Sequence, residues 1–353
     1  MGGKATIYEV AHRCGVSTAT VSRIMSDESF GSASTRQLVL DVAAELAWFP
    51  NGAARGLASR RSEIVGLLFP DLGQSGEAED ESPLYVDEII RGAERVATAA
   101  GQAVLIAAVQ MNNGRSLAFS VAGKVDGLVI LARSLPRKDI VALARSMPIV
   151  LLAIKPGSSS LDYVAVDNVG GTRQVTEHLL TVHGYQDVAF IGGPQHSPDA
   201  EQRFAGYCEA LGAAGLKVPE APDAIGAFTE TGGAEATRVL LSEGRRPRAL
   251  VCANDEMAIG ALRTLRGARL RVPADIAVTG FDDIASARHV RPALTTVRQP
   301  MRELGEEAVH ALFARLRDPK TPRKAIILGT DIVVRRSCGC PTSATRQSTR
   351  REQ

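Results

Sequence analysis

Apolar positions in the first fifty residues recur at helical spacing. Ile7, Val10, Ala11 and Cys14 fall on one stripe, Val21 and Ile24 on a second, and Leu38, Val39, Val42, Ala43 and Leu46 on a third. Three short helices are predicted. Thr6 and Glu9 make a T-x-x-E capping box for the first. Gly15 ends that helix where a left-handed residue belongs. Ser17 caps the second helix, residues 18–25, and Ser32 or Ser34 caps the third. The segment 50–58, "PNGAARGLA", is too short and too rich in glycine to be a stable isolated helix. It reads as a linker that becomes helical only in a favourable setting.

From Ile64 the pattern changes. Short apolar runs ("IVGLLF", "AVLIAAV", "VDGLVIL", "IVLLAI", "DVAFIGG", "ALVCA", "DIAVTG") alternate with amphipathic stretches such as 86–100, 171–182, 200–214, 256–266 and 301–316. Strands apolar on both faces and separated by helices mean a parallel, doubly wound sheet. About ten strands exceed what one compact sheet holds, so two sheets are predicted. The loop "DLGQSGEAEDESP" is acidic, and the end "PTSATRQSTRREQ" is polar, basic and expected to be disordered.

A chain of 353 residues with 45% hydrophobic content has room for two or three units and a sizeable core. The net charge of +2 predicts no partner by itself. Residues 1–61 carry seven Lys/Arg against five Asp/Glu, so a nucleic-acid role must rest on placement and not on bulk charge. Five scattered cysteines argue against a disulfide framework and fit a reducing cytosol. Cys338-Gly-Cys340 is a lone C-x-C without a second pair, and all six histidines stand isolated in the sequence, so no metal site is expected. There is neither a signal-peptide pattern nor a run of 18 apolar residues, and a cytoplasmic protein is expected. Dinucleotide, P-loop, nucleophile-elbow and zinc-protease motifs are absent from the chain, which weighs against an enzyme.

In "TIYEVAHRCGVSTATVSRIM", Ala11, Gly15 and Val21 stand at the close-contact, turn and inter-helix positions of a helix-turn-helix. Thr18, Ala19, Ser22 and Arg23 then face outward. Short hydroxyls at a helix start suit phosphates, Ala19 suits a thymine methyl, and Arg23 can reach a guanine edge. A plain helical hairpin with a solvated face has the same spacing, so the pattern alone leaves both readings open.

The whole chain from Thr6 to about Cys340 resembles the LacI/GalR (lac repressor) family of bacterial transcription regulators. The stretches that carry the resemblance include "STRQLVLDVAAEL", "WFPNGAARGLASRRSEIVGLLFPDL", "VAVDNVGGTRQVTEHLL", "RFAGYCEAL", "CANDEMAIGALRTLR", "RVPADIAVTGFDDI" and "RPALTTVRQPMRELGEEAV", in order. The resemblance implies a helix-turn-helix domain (1–49), a hinge (50–61), a periplasmic-binding-protein-like effector and dimerisation core (62–340) and a disordered tail (341–353). In the core, subdomain N takes about 62–167 and 299–325, and subdomain C about 168–298 and 326–340.

It also implies residue roles. Thr18, Ala19 and Arg23 match base-reading positions. Thr20 and Ser22 match backbone contacts, and Thr6, Ile7 and Ser17 belong to the same DNA-binding set. Asn51, Ala54, Leu57 and Ala58 match the hinge helix, with Leu57 at the place of a leucine wedged into the minor groove. Tyr85, Asp167, Arg203, Phe228, Asn254 and Asp282 match effector-pocket positions. The implied function is a ligand-responsive, cytoplasmic and nucleoid-associated repressor of sugar-utilisation genes. It would bind a pseudo-palindromic operator as a homodimer, with a sugar or sugar derivative as effector and no cofactor. A purine-type effector and a solute-binding protein are the alternatives.

The chemistry of those residues fits. Arg203 offers a planar fork of donors, Asp167 and Asp282 accept from hydroxyls, and Phe228 can stack on an apolar sugar face. Each also has a plainer reading: Asn254 as the cap of the next helix, Asp282 as a turn carboxylate beside Asp283, Arg203 as a surface ion pair. Gly52 and Gly56 weaken the hinge helix by roughly 1 kcal/mol each. Ile154 stands where the family often has an aspartate after the fourth core strand.

Overall fold

The computed structural model describes residues 5–26, 29–46, 48, 61–70, 83–109, 114–153 and 161–341. Asn51, Ala54, Leu57 and Ala58 of the expected hinge, the acidic loop and the tail from residue 342 lie outside the described residues. The chain divides into two compact units, Met1–Glu63 and Ile64–Gln353.

The first unit holds helices α1 (Ile7–Cys14), α2 (Thr18–Ser26) and α3 (Ala33–Glu45). The Glu9 carboxylate accepts from the Thr6 amide at 2.7 Å and from its hydroxyl at 3.2 Å. Gly15 takes φ +64°, a conformation in which a Cβ would be strained, so the chain turns at once into α2. Ser17 Oγ accepts from the Thr20 amide at 3.0 Å, and Ser32, not Ser34, caps α3 through the Thr35 amide at 3.2 Å. Val10, Ala11, Cys14, Val21, Ile24, Val39, Val42 and Ala43 bury one another between the three helices. Leu38 departs from the expected stripe and is 46% exposed. It precedes the 39-42-43-46 line by about 100° of helical rotation, which carries it off the buried face.

The second unit is built on two parallel sheets. Strands β1 (Ile64–Pro70), β2 (Ala103–Val109), β3 (Gly127–Leu131), β4 (Ile149–Leu152), β5 (Asp162–Val166) and β11 (Ala325–Leu328) form the first, in the order β11-β5-β4-β3-β1-β2. Strands β6 (Val188–Gly192), β7 (Ala224–Ile225), β8 (Ala249–Cys252) and β9 (Ala277–Thr279) form the second, in the order β7-β6-β8-β9. A short antiparallel pair, β10 (Thr296–Arg298) and β12 (Asp331–Val333), runs beside them. Every residue of β3, β4, β6 and β8 is buried, which is why these runs are apolar without alternation.

Helices α4 (Pro83–Ala99), α5 (Arg115–Ala122), α6 (Arg137–Ala144) and α11 (Met301–Arg317) pack in the half built on the first sheet. Helices α7 (Asn168–Thr181), α8 (Pro198–Ala213), α9 (Glu230–Ser242) and α10 (Asp255–Gly267) pack in the other. Gly92 of α4 lies against the Arg302 carbonyl and Gly305 of α11 against the Ile89 carbonyl, so these two helices meet backbone to backbone. The chain passes between the halves after β5, after β10 and after β11.

That last passage corrects an expected boundary. Residues 326–328 belong to β11, which pairs with β5 of the first sheet, so the switch to the second half falls after Leu328 and not after residue 325. An ion pair fixes the strand's entry. Arg315 on α11 sets its Nε and Nη2 at 3.0 Å from the two oxygens of Asp162 on β5, both side chains being buried. The Asp162 carboxylate also accepts from the Lys324 amide at 2.8 Å, immediately before β11. Burial alone would raise the Asp162 carboxyl, but the Arg315 fork and the Lys324 amide hold it below the usual carboxylate range.

Candidate functional site

In an open α/β sheet, ligands bind beyond the carboxyl ends of the strands, where the strand order reverses. The first sheet reverses between β1 and β3, and the second between β6 and β8. The segments that follow these four strands face one cleft, lined from the first half by Pro70, Tyr85 and Arg133 and from the second by Asp199, Arg203, Phe228, Asn254 and Asp282.

Arg203 is the hub. It projects from α8, is 4% exposed, and donates from Nε to Asn168 Oδ1 at 2.8 Å and from Nη1 to the Ala253 carbonyl at 2.7 Å. The same Nη1 lies 3.2 Å from Asp282 Oδ1. Its guanidinium carbon sits 3.8 Å from the Phe281 ring centre and 5.6 Å from that of Phe228. The fork is therefore held flat before any ligand arrives. Among the described residues no acceptor takes Nη2, which leaves a donor for the cleft.

Asp282 follows β9 at φ +116°, a conformation uncommon for a side chain with a Cβ. Its carboxylate also accepts from Gln299 Nε2 at 2.6 Å. Burial pushes its pKa up to about 6; Arg203 and the Gln299 bond pull it down, and the nearby Asp199 carboxylate adds to the rise. The ion pair with Arg203 is thus real in geometry, yet it does not outweigh desolvation. Asp199 is raised as well, by burial first, although Arg203 and the 2.8 Å bond from Asn168 oppose the shift. The Tyr85 hydroxyl is raised by burial and by Asp199, so it remains a neutral donor and acceptor.

Phe228 takes φ +68° and lays its ring where a side chain at Gly193 would clash. Asn254 caps α10, accepting from the Met257 amide at 3.0 Å, and also donates to the Phe228 carbonyl at 3.0 Å. The plain reading of Asn254 as a helix cap and its place in the cleft both hold.

Five of the six expected pocket residues are brought together: Tyr85, Arg203, Phe228, Asn254 and Asp282. Asp167 stands outside the lining. It is exposed, and its carboxylate caps α7 by accepting from the Gly170 amide at 2.8 Å. Its neighbour Asn168 is the buried residue that bridges Arg203 and Asp199. Sequence reasoning missed Asp199 and Asn168. Asp199 had a signal, because it lies four residues before Arg203 and so shares one helix face with it.

In the first unit, Ala19, Ser22 and Arg23 are exposed, and Thr18 and Thr20 are half-buried. The Arg23 guanidinium lies 5.5 Å from the Phe30 ring centre, a stacking that directs it. Ser17 is exposed but committed as the α2 cap, sharing a 2.9 Å bond with the Thr20 hydroxyl. Thr6 is exposed, while Ile7 packs half-buried on the helical core.

The similarities of the chain agree with this division. A family profile described as "Bacterial regulatory proteins, lacI family" matches residues 6–51, and one described as "Periplasmic binding protein-like domain" matches residues 176–338. The ribose operon repressor of Escherichia coli (strain K12) is 32% identical over 94% of this chain and 99% of its own length. The HTH-type transcriptional regulator CelR of Thermobifida fusca is 34% identical over 95% of this chain and 98% of its own. The lac repressor dimer bound to operator and the anti-inducer ONPF superposes with a TM-score of 0.81 at 29% identity, covering 95% of this chain and 99% of that one. No described helix is long and apolar enough to cross a membrane. A helix-turn-helix head joined to a binding-protein core, matched along almost its whole length, means that the chain belongs to the LacI family of bacterial regulatory proteins and is a ligand-responsive, DNA-binding transcription regulator.

Proposed function

We propose that the cleft around Arg203 is the effector site, that its effector is a sugar or sugar derivative, and that occupancy changes the affinity of a dimer for operator DNA. The Arg203–Asp282 pair carries this reading. A buried fork with one donor left over, beside a carboxylate poised between charged and neutral, is suited to neighbouring hydroxyls that both donate and accept. Phe228 supplies an apolar face for a sugar ring, and Tyr85, from the first half, supplies a neutral hydroxyl opposite Asp199. A ligand contacting both halves stabilises their closed arrangement in proportion to its preference for it, and any such change reaches DNA only through that differential affinity.

A purine-type effector is the second reading, favoured by the same Phe228 ring and by Asn254, which can pair with a base edge. Thermal-shift measurements with pentoses, hexoses, disaccharides and purines separate the two. The sugar reading requires stabilisation by a saccharide that is lost in Arg203→Ala. A response to purines alone would replace it.

In the head, Thr18, Ala19 and Arg23 are assigned to base reading, and Thr6, Ser17, Thr20 and Ser22 to phosphate contacts. Ile7 is assigned to holding α1 in place. A pseudo-palindromic site engages two such heads, one from each protomer.

A further inference from the structure

A second constellation lies away from the cleft. His178, on the last turn of α7, and His183, just beyond it, face Cys338 and Cys340 across the fold, and their four ligand atoms all lie within 4.8 Å of one another. Cys340 Sγ is 3.6 Å from His178 Nε2 and 3.4 Å from His183 Nε2. Zinc bonds of about 2.3 Å to sulfur and 2.05 Å to nitrogen, set at the tetrahedral angle, place sulfur and nitrogen roughly 3.5 Å apart. The two sulfur–nitrogen spacings at Cys340 match such edges.

We propose that His178, His183, Cys338 and Cys340 bind one structural zinc ion. The histidines that stand isolated in the sequence approach each other in the fold, with ring centres 5.1 Å apart, and the proposal departs from the expectation of no metal site. The histidines read H-x4-H and the cysteines C-x-C, and 162 residues separate His178 from Cys340, so only the fold joins them. Two thiolates and two imidazoles favour zinc over harder cations, and four protein ligands leave no open position, so the site is structural and not catalytic.

The surroundings fit such a site. Gly339 takes φ +111°, and a Cβ there would come within 3.1 Å of the Tyr185 hydroxyl and 3.3 Å of the His183 ring, so glycine is what allows both thiols to turn to one point. Cys338 is fully buried; its sulfur accepts from the Thr295 hydroxyl at 3.1 Å and donates to the Arg335 carbonyl at 3.7 Å, contacts that hold it in place. The Tyr185 ring stacks on His183 with centres 5.1 Å apart and 17° between planes, and its hydroxyl donates to the Cys338 carbonyl at 3.2 Å. On binding, each cysteine thiol gives up a proton to solvent, and the two thiolates balance the charge of the ion. The ion would staple the 338–340 turn to the end of α7, the helix whose first residue, Asn168, holds Arg203.

The test uses the full chain without a histidine tag, purified under reductant. Metal content is measured by mass spectrometry; the chain is then stripped with a chelator and titrated with Co(II) and Zn(II). The proposal expects one zinc per chain, a cobalt spectrum with tetrahedral d–d bands and thiolate charge transfer, release of protons on zinc uptake, and a higher melting temperature with zinc. Cys340→Ser and His183→Gln, both at partly exposed positions, should weaken zinc binding by more than the roughly 100-fold that loss of an outer-shell partner costs. Failure of the reduced wild-type chain to take up zinc or cobalt overturns the proposal. So does zinc binding that is unchanged in both variants, or a Cys338–Cys340 disulfide that forms where metal uptake was expected.

Discussion

Arg203 Nη1 and Asp282 Oδ1 stand 3.2 Å apart in the cleft, one from helix α8 and the other from the turn after β9, and both side chains are almost wholly buried. Neither is there for stability alone. A buried pair of this kind gains little over apolar packing once desolvation is counted. Here the pair shares its acceptors and donors with Asn168, Gln299 and a backbone carbonyl, yet still leaves one guanidinium nitrogen for the cleft. The arrangement is one of readiness for a polar ligand.

Phe228 tests the apolar side of that ligand. Phe228→Ala removes the ring face and should weaken effector binding roughly 30-fold, about 2 kcal/mol, while operator affinity without effector stays within twofold. Calorimetric titration of the stabilising saccharide into wild type and variant measures this. Equal affinities would mean that the ring lies outside the contact.

The raised pKa of Asp282, about 6, predicts a pH dependence of definite sign. Ligand hydroxyls donate to the ionised carboxylate, so binding releases its proton. Affinity should therefore fall as pH drops through 6, by about tenfold between pH 7 and pH 5. Asp282→Asn should flatten that profile. The same group acts in the opposite sense on folding. Its folded pKa lies above the unfolded value, so the native chain holds a proton that the unfolded chain releases between roughly pH 4 and 6, and acidification across that window favours the native state through Asp282.

Much of this was legible in the sequence, for physical reasons that can be traced residue by residue. Gly15, Ser17 and the stripe ending at Ala43 act locally, through φ preference, capping and helical period, so the head could be drawn before it was seen. The two-faced apolar strands could be read for the same reason. Asp167, expected in the pocket, caps α7 here, since a carboxylate before a helix serves as a cap as readily as a ligand contact, and only the fold shows its neighbour Asn168 turned inward. The thiol pair at 338–340 gave no metal signal because its partner histidines are distant in sequence. Strands β10 and β12 are three residues each, too short for any period to show.

DNA reading rests on α2. Arg23→Ala should cost about 1–3 kcal/mol at the best site and relax one base position, whereas Thr20→Ala should weaken binding similarly at all sites. Selection of bound sequences from a random pool checks both, and unchanged base preference in Arg23→Ala would remove its assigned role.

Arg315 and Asp162 make the stability prediction. Arg315→Ala leaves a buried carboxylate without its fork and should destabilise the core by roughly 3–5 kcal/mol at pH 7. The Asp162 pKa is depressed in the fold, so its favourable contribution is present above the unfolded value near pH 4 and is lost as pH falls through the folded one. The difference between variant and wild type should accordingly shrink in acid. Urea unfolding at pH 7 and at about pH 2.5, below the unfolded value, reads it, and a difference independent of pH would point to lost packing instead.

The most direct measurement of the central claim is operator affinity against effector concentration, followed by fluorescence anisotropy on a site recovered by selection, for wild type and Arg203→Ala. In wild type the saccharide that stabilises the chain should change operator affinity at least tenfold. Arg203→Ala should bind the same DNA within twofold of wild type and fail to respond at any concentration that saturates wild type. A variant that still responds at wild-type concentrations would contradict the assignment of the cleft as the effector site.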